Sequence, residues 1–198
     1  MEATGGSFAF TVFFAAIFTN NILLTNFLGM CSFLSISKEL KTSVGLGVAV
    51  VFVMATTSVL NYLVYYFVLV PLELTYLRYI VFIIIIAAFV QLVEMVIERV
   101  SESLYASLGI FLPLITVNCA ILGASLFMVI RQYDLLSSFT YGIGSGIGWF
   151  LAILAMAGIR QKIAKARIPR GLEGAGITLI ITGMMALAFI GFTGMIQI

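Results

Sequence analysis

The chain has 198 residues, 63% of them hydrophobic and only 9% charged, with a formal net charge of +2. A soluble domain carries roughly 25% charged residues, so this chain cannot cover itself with polar surface and belongs in a membrane. Two cysteines and no histidine exclude a disulfide-built secreted scaffold and remove the commonest general base and transition-metal ligand.

Six apolar spans follow in order, at about 8–34, 43–70, 77–97, 104–129, 137–159 and 176–196. A helix needs roughly 20 apolar residues to cross a hydrocarbon core of ~30 Å. Glu2 stands where a cleavable leader would be basic, so the first span is expected to stay in the protein. That span is interrupted. Asn20-Asn21-Ile22-Leu23-Leu24-Thr25-Asn26-Phe27-Leu28-Gly29-Met30-Cys31 sets amides, a glycine and a cysteine into an apolar run. The fourth span is interrupted in the same way. Its run Leu108 to Gly123 holds Pro113, Thr116, Asn118 and Cys119. Proline lacks an N–H and clashes with the preceding turn, so the fourth helix is expected to break at Pro113. Lipid tolerates such a break only where protein or a cavity covers the freed backbone.

The connecting loops are short. The first, third and fifth carry eight of the ten Lys and Arg residues: Lys38, Lys41, Arg99, Arg160, Lys162, Lys165, Arg167 and Arg170. Arg78 and Arg131 lie on the other side. The positive-inside rule puts the first group in the cytoplasm and both termini outside. The fifth loop reads first as a topology signal; docking of an acidic cytoplasmic partner is the sharper reading.

The chain divides near residue 100 into two sets of three spans. Each set opens on an interrupted, cysteine-bearing span, and each second span opens on glycines, Gly45 and Gly47 in one, Gly142, Gly144, Gly146 and Gly148 in the other. Three crossings per unit force the two units into opposite orientations, the inverted-repeat plan whose sites lie near the midplane on discontinuous helices. The expected fold is therefore all-α and polytopic: six transmembrane helices as two inverted repeats, residues 1–100 and 101–198, with the first and fourth helices broken.

Cys31 and Cys119 are the candidate ligands. A single free cysteine is usually a small buried hydrophobe. Two at matching places in a repeat, each beside a break, point to a shared site, and thiolates suit zinc or iron–sulfur centres. Two cannot complete an iron–sulfur cluster, which usually takes four cysteines. Straight helices rising ~1.5 Å per residue would put Cys31 ~35 Å from the outer end of span one and Cys119 ~22 Å from the cytoplasmic end of span four. Shared ligation therefore requires both spans to break or fold back. Glu94, near the inner end of span three, either reaches the interface or marks an ion path. The glycine run 142–148 follows no strand, so close helix packing explains it better than phosphate binding.

At Phe27-Leu28-Gly29-Met30-Cys31, Gln91-Leu92-Val93-Glu94-Met95 and Leu108 to Gly123, the chain resembles the paired six-helix membrane subunits of the Na⁺-translocating NADH:quinone reductase (NQR) and the related Rnf complex. It is most similar to the E subunit of the first and the A subunit of the second. The resemblance implies an inner (cytoplasmic) membrane subunit of a bacterial or archaeal ion-pumping oxidoreductase, with no complete active site of its own. It implies a homologous six-helix partner, the D subunit of NQR or the E subunit of Rnf, in the opposite topology. The four cysteines of the pair would hold an iron–sulfur centre of the [2Fe-2S] type, with Cys31 and Cys119 as this chain's two ligands. Glu94 matches an acidic position linked in the family to movement of Na⁺ or H⁺. No covalent flavin attachment motif and no nucleic-acid surface are seen. The competing expectations are a free-standing inverted-repeat secondary transporter and a purely structural membrane subunit.

Overall fold

The computed structural model describes residues 5–100, 112–165, 169, 171–172 and 174–191. Every regular element among them is helical: α1 (Gly5–Phe14), α2 (Met30–Ile36), α3 (Leu40–Val64), α4 (Arg78–Val100), α5 (Leu112–Thr116), α6 (Cys119–Ile130), α7 (Leu135–Ile163) and α8 (Ala175–Ile190). α1 runs on through a π-turn, Ala15–Thr19, and α3 through another, Tyr65–Leu69. Four stretches are long and apolar enough to cross a membrane: Leu40–Leu69, Thr75–Arg99, Pro113–Ile130 and Leu135–Ile163. The first and last expected spans appear as shorter apolar helices, Phe8–Thr19 and Ala175–Ile190. The start of the fourth span and the end of the sixth lie outside the described residues.

The surface pattern is that of a protein solvated by lipid. Phe10, Phe52, Ile80, Ile83, Ile84 and Leu187 are exposed, while Ser43, Thr57, Ser58, Asn61, Ser125 and Ser145 are buried. Water would reverse that order. Two of the buried hydroxyls are served by their own helix: Thr57 Oγ1 donates to Val53 O at 2.7 Å and Ser58 Oγ to Met54 O at 2.7 Å. Asn61 Nδ2 donates to Ser125 Oγ at 2.8 Å and ties α3 to α6. Helices in lipid associate through small residues and such polar bonds, because lipid tails are as apolar as leucine.

α7 is the spine of the molecule, and its glycines explain why. A Cβ on Gly142 would lie 2.5 Å from Ser58 Oγ, and one on Gly146 would lie 2.9 Å from Val51 Cα. These two, four residues apart, face α3. A Cβ on Gly144 would lie 2.8 Å from Phe13 O, and one on Gly148 would lie 2.9 Å from Asn21 Nδ2 and 3.1 Å from Ala16 O. That second pair faces α1 and its π-turn. From the other side, Gly47 of α3 receives the Phe150 ring. The glycine run thus serves two helices at once, as two interleaved stripes with a period of four.

These contacts fix which ends lie together. α3 and α7 run antiparallel, since Gly47 meets Phe150 and Ser58 meets Gly142. Arg160 Nη1 donates to Leu34 O at 3.0 Å and Ser37 Oγ at 2.8 Å, so the first and fifth loops share one end. The Phe8 and Tyr133 rings, 6.2 Å apart, put the start of α1 beside the 131–134 turn at the other. Lys38, Lys41 and Arg160 therefore gather at one end and Arg131 stands at the opposite one, matching the charge asymmetry of the loops. Arg160, expected as a loop charge, belongs to the last turn of α7 and caps α2.

Replacing Gly146 by Ala should drive a methyl against the α3 backbone, with a loss of about 1–3 kcal/mol typical of overpacking. Thermal unfolding in detergent checks this. An unshifted melting temperature would mean that α3 and α7 are not in close contact there.

Candidate functional site

The first break spans residues 20–29, between the π-turn and α2. Ile22, Leu23 and Leu24 are buried at 0%, 0% and 2% exposure, so this non-helical backbone has no water to bond it. Asn21 takes the place of that water. Its Oδ1 accepts from Leu23 N at 3.1 Å and Leu24 N at 3.3 Å. Its Nδ2 donates to Ile17 O at 3.1 Å and, across the interface with α7, to Gly148 O at 2.8 Å. One amide thus serves four backbone groups. Gly29 closes the break with φ +83°, a left-handed conformation that only glycine adopts without strain.

The second break seen among the described residues is shorter and follows α5; the residues before Leu112, which would hold the turn that Pro113 disrupts, lie outside the described residues. The helix stops at Val117–Asn118. Asn118 is the N-cap of α6, its Oδ1 accepting from Ala120 N at 3.0 Å. Asparagine is among the strongest N-caps, and buried here at 2% exposure it ends one helix and starts the next.

The two breaks meet. Gly29 N donates to Cys119 Sγ at 2.9 Å. Asn118 Nδ2 donates to Ser32 Oγ at 3.3 Å, and Ser32 Oγ donates to Gly29 O at 3.1 Å. Cys119 is the first residue of α6, and Cys31, the second of α2, is two positions beyond the bonded Gly29. Both cysteines are free and exposed on the surface of this chain, although the residues between and beneath them, Gly29, Ser32, Asn118 and Ala120, are buried. The geometry also fits the depth argument. The 7 residues of α2 and the 12 of α6 rise ~10 Å and ~18 Å, together nearly the ~30 Å of a hydrocarbon core. α2 and α6 thus run from one seam toward opposite ends, each with its cysteine in the first turn.

Two soft thiols stand on a surface, held by backbone, with no third His, Cys, Asp or Glu gathered beside them among the described residues. That fits a soft metal group shared with another subunit and does not fit a self-contained zinc or iron site, which takes four ligands. Glu94 is half-buried on α4 and takes no part in the bonds that join the breaks.

A family model described as Rnf-Nqr subunit, membrane protein, matches residues 9–196. The chain belongs to the Rnf-Nqr family of membrane subunits. Among its relatives is the A subunit of the Na⁺-translocating ferredoxin:NAD⁺ oxidoreductase complex of Acetobacterium woodii. It is 50% identical over 184 residues, covering 93% of this chain and 96% of the relative. The E subunits of the Na⁺-translocating NADH-quinone reductases of Psychromonas ingrahamii and Serratia proteamaculans are 49% and 51% identical, with the same coverage. The Rnf and NQR relatives are thus equally similar to this family member.

Asn21 and Asn118 are visible in the sequence as amides in apolar runs, but their partners are not. Trp149, buried against Gly29, gives no sequence signal beyond being the single tryptophan. Asn21→Ala should leave the buried Leu23 and Leu24 N–H groups unpaired, at about 1–3 kcal/mol each. The expected result is a subunit that fails to accumulate in membranes, read by quantitative immunoblot, whereas Asn20→Ala should accumulate normally.

Proposed function

We propose that this chain is the electron-transferring membrane subunit of an ion-pumping redox complex of the Rnf or NQR type. In this reading Cys31 and Cys119 are two of four thiolate ligands of an iron–sulfur centre, a [2Fe-2S] cluster, completed by two cysteines of a homologous partner subunit. The observation that carries it is the meeting of the two breaks at Gly29 N–H and Cys119 Sγ, with both thiols turned to the surface. The names of the relatives, the A subunit of a ferredoxin:NAD⁺ oxidoreductase and the E subunit of an NADH-quinone reductase, supply the class of complex.

An iron–sulfur centre supplies a one-electron carrier. This chain's part is to hold two thiolates at mid-depth, present them to the partner, and keep the backbone around them bonded. Placing the site between half-helices from opposite faces suits a carrier that must be reached from both sides of a membrane. The same arrangement supports six crossings as two inverted repeats, residues 1–100 and 101–198, with both termini outside a bacterial or archaeal cytoplasmic membrane.

Replacing either cysteine by serine keeps size and removes the soft sulfur that iron prefers. Cys31→Ser and Cys119→Ser should each abolish the same electron paramagnetic resonance signal of the purified complex and stop electron transfer. A fully active, iron-replete Cys119→Ser complex would overturn the proposal, and iron-free wild-type complex would return the chain to the transporter reading.

We also propose that Glu94 lies on the path of Na⁺ or H⁺ from the cytoplasmic side. A half-buried carboxylate within an apolar membrane helix is costly and is retained where an ion passes. Glu94→Gln should weaken the Na⁺ dependence of turnover with the iron signal intact. Unchanged Na⁺ activation in an assembled complex would assign Glu94 to the interface.

A further inference from the structure

Trp149 is fully buried, and its indole Nε1 has no hydrogen-bond partner in the structure. An indole N–H can only donate. Left unmade away from water, such a bond carries the full desolvation penalty of the group. The nitrogen also lies in a particular place. A Cβ built on Gly29 would be 2.6 Å from Trp149 Nε1, 3.0 Å from Asn118 Oδ1 and 3.1 Å from the Ala120 methyl. The indole therefore reaches, from α7, into the seam where the first break meets the first turn of α6. Glycine at position 29 is what leaves room for it.

Two oxygens in that seam already accept hydrogen bonds, and neither takes one from the indole. Asn118 Oδ1 takes the Ala120 N–H at 3.0 Å, and Gly29 O takes the Ser32 hydroxyl at 3.1 Å. The seam also holds a sulfur, Cys119 Sγ, which receives the Gly29 N–H at 2.9 Å. We propose that Trp149 Nε1–H is a second hydrogen-bond donor to sulfur at this site, either the Cys119 thiolate or a sulfide of the group it holds. This rests on the iron–sulfur reading above. Trp149 is then a positioning residue whose N–H, with that of Gly29, stabilises negative charge on sulfur. Reduction adds one negative charge, so the two donors favour the reduced state and raise the reduction potential.

The test replaces Trp149 in the assembled complex by 3-benzothienylalanine, which keeps the fused ring and has no N–H, and in parallel makes Trp149→Phe. Iron and acid-labile sulfide are counted, the potential is titrated by electron paramagnetic resonance, and exchangeable-proton couplings are recorded after D₂O exchange. The benzothienyl variant should keep its iron and lose one exchangeable coupling. Its equilibrium constant for reduction should fall about tenfold, which is about 59 mV for a one-electron couple. Unchanged potential and coupling in that variant would overturn the inference, and loss of iron from Trp149→Phe alone would then assign the residue to packing. Loss of iron from the shape-preserving variant would itself show that the N–H is needed. A wild-type complex without iron would overturn the iron–sulfur reading first, and this inference with it.

Discussion

A helix that stops inside a bilayer leaves backbone N–H and C=O groups with no water to bond them, and each unbonded group costs several kcal/mol. This chain stops a helix twice. Asn21 bonds three backbone groups at the first break and one of α7, and Asn118 caps the helix after the second while reaching Ser32 on the other side. The rest of the architecture serves these two amides. Asn21 can reach Gly148 O only because α7 has no side chain at position 148, where a Cβ would lie 2.9 Å from the amide nitrogen. The stripe that lets α7 approach α1 is thus also what lets the break be bonded.

The same logic explains the placement of the thiols. The interior around the breaks is filled: Ile22, Leu23, Phe33, Ala120, Ile121 and Trp149 are all fully buried. A bulky inorganic group could not be enclosed there without a large cavity. Presenting Cys31 and Cys119 outward, on a frame that is itself rigid, leaves the volume of such a group to an interface between subunits. In the proposed reading, a site divided in this way would also couple assembly to metal loading, because ligands brought together by folding contribute the binding energy to association.

The breaks, the cysteines and the small-residue stripe are legible in the sequence because each violates the composition of its surroundings: amides in apolar runs, two thiols at equivalent places, four glycines at alternate positions. What was not legible depends on partners far away along the chain. Pro113 is the loudest helix breaker by local chemistry, but the cap that starts α6 is the quieter Asn118, whose partners Ala120 N and Ser32 Oγ the local sequence does not show. Arg160 reads as one more loop cation, but its guanidinium bonds Leu34 O and Ser37 Oγ more than a hundred residues earlier. The indole of Trp149 looks like ordinary core until Gly29 is seen against it. Charge alone divides the loops into two groups, and the contacts among Arg160, Ser37, Phe8 and Tyr133 group the same loops.

The central claim is that two half-helices from opposite faces bring Cys31 and Cys119 to one metal group at mid-depth. The most direct measurement is anomalous X-ray scattering at the iron edge from crystals of the assembled complex. The account predicts an iron peak within bonding distance of both Cys31 Sγ and Cys119 Sγ, at the surface facing a second membrane subunit. An iron-containing complex in which no peak touches either sulfur, or in which the two sulfurs bind separate groups, would contradict it.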